Sequence, residues 1–106
     1  MAINKVYWTP LAIKSLEESQ AFILEHWDEE ILDKYLDLID ARIEDLKINP
    51  EIAPIIGETS YRKMFIHKNI SLFYTLEPEF IKLLLIWDNR QDPKKLKEKL
   101  TVANKR

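Results

Sequence analysis

The chain has no cysteine and one glycine, Gly57, among its 106 residues. Without cysteine there is no disulfide, no thiol nucleophile and no thiolate metal ligand. A single glycine rules out the glycine-rich loops that cradle nucleotide phosphates. Histidine is nearly as scarce. His26 and His67 fall in different segments, and neither has the second histidine four residues on that a helical metal site uses. Ser60, Ser71 and His67 supply raw material for Ser-His-Asp catalysis, but no nucleophile elbow surrounds them. No apolar run approaches the roughly 20 residues that span a bilayer. The opening "MAINKVYWTP" lacks the basic stretch and apolar core of a secretory signal. The expected setting is therefore the cytoplasm, away from membranes, with no metal and no cofactor.

What the chain does contain is enough for one domain spanning all 106 residues. A hydrophobic fraction of 46% and three tryptophans support a modest core. The formal net charge of −2 conceals a division. Residues 1–57 carry a balance of −7 and residues 58–106 a balance of +5. The two flanks thus differ in sign, and the basic one can meet an anionic partner or simply keep the chain soluble.

Periodicity gives the order of elements. "NKVYW" is short, β-branched and aromatic, and reads as a strand. Thr9-Pro10 is a helix start, since proline at the first helical position forfeits no needed N–H bond. Ala12, Leu16, Ser19, Ile23 and Trp27 then form one helical stripe, with His26 beside its end. Leu32, Leu36, Ile39, Ile43 and Leu46 form a second stripe, opposed by an acidic face, until Asn49-Pro50 stops the helix. The two helices should pair as a hairpin. After a loop, "YRKMFIH", "ISLFYTL" and "FIKLLLIW" read as three strands, turning at Lys68-Asn69 and at Glu77-Pro78-Glu79. The last is apolar enough to be interior. Residues 93–106 read as a short, charged helix or tail. The expected fold class is α+β, in the order β-α-α-β-β-β: an antiparallel sheet with a helical hairpin on one face and a short C-terminal helix.

The sheet-forming half holds the candidate chemistry. Arg62 and Lys63 open one strand, His67 and Lys68 close it, Tyr74 lies in the next, and Asp88, Arg90 and Gln91 leave the last. Arginine offers a planar fork for phosphate or carboxylate, and histidine or tyrosine can transfer a proton. The plain alternative makes Arg62 and Arg90 partners of Asp88, Glu58 or Asp92, and Tyr74 a core residue.

Taken together, "YWTPLAIKSL", "LKINPEIAP", "YRKMFIHKNISLFYTLE" and "IKLLLIWDNRQDPKKL" resemble the RelE/ParE superfamily. These are the toxins of bacterial type II toxin–antitoxin systems, often labelled plasmid-stabilisation proteins. The resemblance runs from Val6 to about Leu96. It implies a growth-inhibiting toxin neutralised by a cognate antitoxin that wraps around it. Members similar to RelE cut mRNA on the ribosome without a metal, whereas members similar to ParE inhibit DNA gyrase. Arg62 matches the arginine that opens the family's second strand, and Arg90 the arginine just after its last strand. Tyr74 matches a common strand-three aromatic.

Two departures point toward the ParE-like branch. No histidine or tyrosine follows Tyr74, where a nuclease carries its acid or base. A pI near 5.7 also suits RNA poorly. On this reading the chain is no enzyme: it binds gyrase, and Arg62, Asp88, Arg90 and Gln91 contact the target or the antitoxin. The alternative is a metal-independent endoribonuclease acting on mRNA in the ribosome, with Arg62 and Arg90 holding the scissile phosphate and Lys63, His67 or Lys68 assisting. A third expectation is a member that keeps antitoxin binding without toxicity. An exposed apolar groove on the sheet or hairpin is expected to take the antitoxin.

Overall fold

A computed structural model describes residues 5–104. Asn4, at the edge of the expected first strand, and Lys105 and Arg106, at the end of the tail, lie outside the described residues. The elements are β1 (Val6–Trp8), α1 (Pro10–His26), α2 (Glu29–Ile48), β2 (Arg62–His67), β3 (Ile70–Leu76), β4 (Ile81–Asp88) and α3 (Pro93–Asn104). This is the order read from periodicity, with the last segment a helix of 12 residues.

The sheet order is β1-β4-β3-β2. Strands β2, β3 and β4 form the expected antiparallel meander. β1 differs: it lies parallel to β4, pairing Val6 with Ile81 and Trp8 with Leu83. The intervening helical hairpin acts as a crossover, returning the chain to the sheet in the same direction. β4 is therefore interior, flanked on both edges, and seven of its eight residues are buried.

Two apolar layers cover this sheet. On one face the α1–α2 hairpin packs Ala12, Ile39, Ile43 and Leu46 against Met64, Ile66, Leu72, Tyr74, Ile81, Leu83 and Ile86. On the other, Leu100 and Ala103 of α3 pack on Phe73, Leu84, Leu85 and Trp87. The pairing shifts by one residue between Phe73 and Tyr74, leaving Leu84 as an extra residue in β4. Such a bulge breaks the strict alternation of faces, so Leu84 and Leu85 both serve the α3 side. Helix α2 is capped by the Asp28 carboxylate, which accepts from the Ile31 N–H at 3.0 Å, with Glu29 and Glu30 complementing the dipole of its first turn.

The stripe read for the first helix holds only in part. Ala12 is buried and Leu16 half-buried, but Trp27 is 55% exposed and caps the helix end. A helix of 17 residues is about 25 Å long, and its far end outruns the sheet beneath it.

Thr9 joins β1 to α1 and both to β4. Its N–H bonds the Leu83 carbonyl at 3.1 Å. Its hydroxyl accepts from the Ala12 N–H at 3.1 Å and donates to the Leu84 carbonyl at 3.3 Å. Thr9 is fully buried. Thr9→Val keeps the shape, removes the cap and strands a buried carbonyl, so chemical denaturation should show a loss of about 1–3 kcal/mol. An unchanged midpoint would show that the cap is dispensable.

Candidate functional site

At Trp8 the β1 ladder ends, while β4 runs on for five more residues. Helix α1 takes over that edge. The Ile86 N–H donates to the Ser15 hydroxyl at 3.0 Å, and the same hydroxyl donates to the Ala12 carbonyl at 2.8 Å. Beyond Ser15 a groove of about 610 Å³ opens between the helical hairpin, the last turn of the sheet and α3. Its lining includes Phe22 and Ile23 of α1, Tyr35 and Leu38 of α2, and Ile70, Ile86 and Trp87 of the sheet. The Tyr35 hydroxyl donates to the Ser19 hydroxyl at 2.9 Å, which fixes the spacing of the two helices at this wall. At the outer end Phe22 and His26 stack with centroids 4.2 Å apart, and the Trp27 ring lies 5.8 Å from Phe22. Phe22 and Trp27 are both about half exposed, a large apolar surface for a small domain.

Polar groups from the strand ends form the rim. Asp88, Arg90 and Gln91 line the groove, and so does His67 from the end of β2. Arg90 is bound in a fork to Asp88: Nε donates to Oδ1 at 3.0 Å and a terminal nitrogen to Oδ2 at 2.6 Å. The Arg90 backbone N–H adds a third bond to Oδ1 at 2.9 Å. These bonds hold the Asp88 carboxyl below the usual carboxylate range and push the Arg90 guanidinium further up. Arg90 is thus presented as half of an ion pair, with its side chain still 65% exposed. The turn that carries it is pinned by Asn89. Its side-chain N–H donates to the buried Ser71 hydroxyl at 2.7 Å, and its backbone N–H to the Asn69 carbonyl at 2.7 Å.

Arg62 and Lys63 stand elsewhere. Arg62 pairs in register with Tyr74 at the far end of β2, whereas His67 pairs with Ile70 beside the Lys68-Asn69 turn. Five residues of strand separate the two ends, about 17 Å. The strand ends therefore form two neighbourhoods: His67, Asp88, Arg90 and Gln91 in one, Arg62, Lys63 and Tyr74 in the other. The Arg62 guanidinium is turned onto the loop before β2, donating to the Ala53 carbonyl at 2.6 Å and the Glu51 carbonyl at 3.4 Å. The Tyr74 hydroxyl holds the same loop through the Pro50 carbonyl at 2.9 Å. Lys63 leans over Phe65 and Phe73 on the opposite face, 5.1 and 5.9 Å from the ring centroids. Phe65 is 58% exposed.

Sequence reasoning missed the groove walls. Phe22 looks like an off-stripe residue of an amphipathic helix, and Ser15 like a neutral one. Nothing in their local pattern shows that the first strand stops early and leaves part of β4 to them. Asn89 carries a weak signal, as the polar residue between Asp88 and Arg90.

This arrangement of a four-stranded sheet, a helical hairpin and a basic C-terminal helix is that of the RelE/ParE superfamily. It is similar to the chromosomal ParDE toxin–antitoxin system from P. aeruginosa at a TM-score of 0.68, with 17% identity over 79% of this chain and 94% of that one. It also resembles the E. coli DinJ-YafQ toxin–antitoxin complex at 0.60, with 13% identity over 85% and 96%. The YoeB dimer from Staphylococcus aureus follows at 0.53, with 16% identity over 78% and 92%. At these identities the likeness is one of fold. Among curated proteins no sequence match is found. The family model for the ParE toxin of the type II toxin–antitoxin system parDE matches residues 6–93, so the chain belongs to the ParE toxin family.

Tyr35 at the groove wall and Tyr74 at the far end of the sheet give the fold a signature at high pH. Burial raises the pKa of both above 10.0, outweighing the Ala53 backbone and Arg62 beside Tyr74 and the Ser19 bond at Tyr35. Their stabilising share is whole below the unfolded value near 10 and is lost as pH rises through the raised folded values. Stability should therefore fall steeply above pH 10, and Tyr74→Phe should flatten that limb while costing about 1 kcal/mol at pH 7. A Tyr74→Phe variant with an unaltered alkaline limb would show that the phenol ionises freely in the fold.

Proposed function

We propose that this chain is a growth-inhibiting toxin that acts by binding a protein target, DNA gyrase, and is silenced by an antitoxin seated in the groove at the open end of β4. The observation that carries the reading is the state of Arg90 within a ParE family chain. Its fork is occupied by Asp88 and its rim position is exposed, which suits a contact residue more than a group that stabilises charge at a reacting phosphate. Arg62 is spent on loop carbonyls about 17 Å of strand away, which weighs against one phosphate being held by both arginines. Gyrase as target places the protein in the cytoplasm. No described helix is long and apolar enough to cross a membrane.

A second reading, a ribosome-dependent mRNA endonuclease, is favoured by one feature. His67 and Arg90 line the same groove, so a proton-transfer group and a cation do share a wall. A third reading keeps antitoxin binding without toxicity. The antitoxin itself is supported by the apolar groove and by the toxin–antitoxin systems among the related structures.

Expressed alone, the chain should make cells filament and raise a DNA-damage response while mRNA stays intact. Codon-positioned cuts in translated mRNA would favour the nuclease, and an unaffected culture the non-toxic member. Arg90→Ala should lower toxicity at least about tenfold, with no measurable change in melting temperature, since an exposed ion pair contributes little to stability. Full toxicity in Arg90→Ala would reduce that residue to a strand-end charge. The antitoxin should also raise Tm, because a ligand at a hundredfold its Kd stabilises by about 2.7 kcal/mol.

A further inference from the structure

We infer that α3 and the neighbouring face of β2 form a docking surface for duplex DNA, held through its phosphates without reading sequence. The inference is independent of which protein the chain inhibits, and it concerns the side of the sheet away from the hairpin. That side is basic. Lys94, Lys95 and Lys97 are exposed on α3, with Lys99 half-buried beside them and Glu98 as the acid of the helix. Lys63 adds a cation from β2, lying 5.9 Å over the ring of Phe73, which belongs to the layer that α3 packs on. Among the described residues none of these lysines is paired with a carboxylate; the ion pairs formed use Lys34, Arg42, Lys47 and Arg90 instead. Acids stand behind the sheet, with Asp33, Asp37 and Asp40 exposed on α2. The net charge of −2 therefore averages two opposed faces, and a polyanion nearing the α3 side meets cations first.

These lysines run against the needs of the helix that carries them. The macrodipole favours acids in a first turn and bases in a last one, yet α3 has no acid in its first turn and no base in its last. Lys94 and Lys95 follow Pro93 directly, at the positive end. Packing gains nothing from them, since Leu96, Leu100 and Ala103 make the contact with the sheet. Nor do they frame a pocket for a small anion. Asp92 already takes the Lys94 N–H through its carboxylate at 3.0 Å and the Lys95 and Leu96 N–H groups through its carbonyl at 3.1 and 3.3 Å. What is left is a set of ammonium groups along a rod about 18 Å long, which fits a ligand whose charge repeats along an axis. Duplex DNA carries one charge per about 1.7 Å of its axis. Other polyanions fit less well. A bilayer surface would meet no apolar stripe, because the apolar side of α3 is turned inward and Val102 is its exposed large apolar residue. Single strands stack on open aromatic faces, but Phe65, the exposed ring on this side, has the Lys63 ammonium over it at 5.1 Å. RNA is told from DNA by its 2′-hydroxyl, and the Thr101 hydroxyl of α3 is turned back to the Lys97 carbonyl at 3.0 Å.

The test is fluorescence anisotropy of the full chain with a labelled DNA duplex of mixed sequence, about 20 base pairs and so longer than α3 requires. Binding should appear at about 50 mM salt and weaken about a hundredfold by about 200 mM, the slope of some four neutralised phosphates. A scrambled duplex should bind equally. The triple variant Lys94→Gln, Lys95→Gln, Lys97→Gln should lose at least about tenfold in affinity while its melting temperature is kept or raised, because cations leave the positive end of the helix. Glu98→Lys should tighten binding at least about threefold, a gain that a damaged fold cannot produce. The inference is overturned by absence of binding at the lower salt, by an unaltered affinity in the triple variant, or by no gain from Glu98→Lys. Tighter binding of an RNA duplex of the same sequence, of vesicles containing anionic lipid, or of polyglutamate would overturn it equally by naming a different partner. Growth arrest and antitoxin binding are not read in this experiment, so the toxin reading stands or falls separately.

Discussion

The structure depends on how the edge of β4 is passed from a strand to a helix. β4 is the most buried element of the domain, and a buried strand must have its backbone groups satisfied along both sides. β3 supplies one side throughout. On the other, β1 supplies three residues, Thr9 bonds the Leu83 and Leu84 carbonyls, and Ser15 takes the Ile86 N–H. Helix α1 is thus attached to the sheet edge by two hydroxyl groups as well as by apolar packing. Past Ser15 the helix leaves the edge, and the groove is the space that results.

This handover explains why the functional surface is where it is. The hairpin outruns the sheet, so its aromatic end is left exposed, and the terminal residues of β4 form the opposite wall. The Asp88–Arg90 fork and the Asn89 bonds then hold the strand exit, giving a hydrogen-bonded polar rim beside an exposed aromatic wall. Preformed, partly apolar grooves with a few fixed polar groups are suited to capturing a peptide or helix at low ordering cost. The far end of the sheet is organised differently. There Arg62 and Tyr74 serve the fold by tying down the loop from Pro50 to Ala53.

Much of this was legible in the residues. Thr9-Pro10, Asn49-Pro50, Lys68-Asn69 and Glu77-Pro78 mark real element boundaries because each changes local backbone energetics. The nearly continuous apolar run of residues 80–87, interrupted only at Lys82, announced a central strand. Three things were hidden. The parallel pairing of β1 depends on the crossover and not on any local pattern. The Leu84 bulge moves one leucine to the other face, which periodicity alone cannot show. The division of the candidate residues into two neighbourhoods follows from strand register: residues that look equivalent as strand ends lie at opposite ends of antiparallel neighbours. Arg62 and Arg90 were paired by resemblance, and the fold separates them.

The central claim is that the open end of β4 and the hairpin wall beside it are the working face of this ParE family chain. Backbone hydrogen exchange on the protein alone and in its co-purified antitoxin complex tests it most directly. The account predicts new protection concentrated at residues 15–27 and 86–91, with Arg62, Lys63 and the loop before them unchanged. Protection centred on Arg62, Lys63 and the loop before them, with the groove exchanging as before, would contradict it.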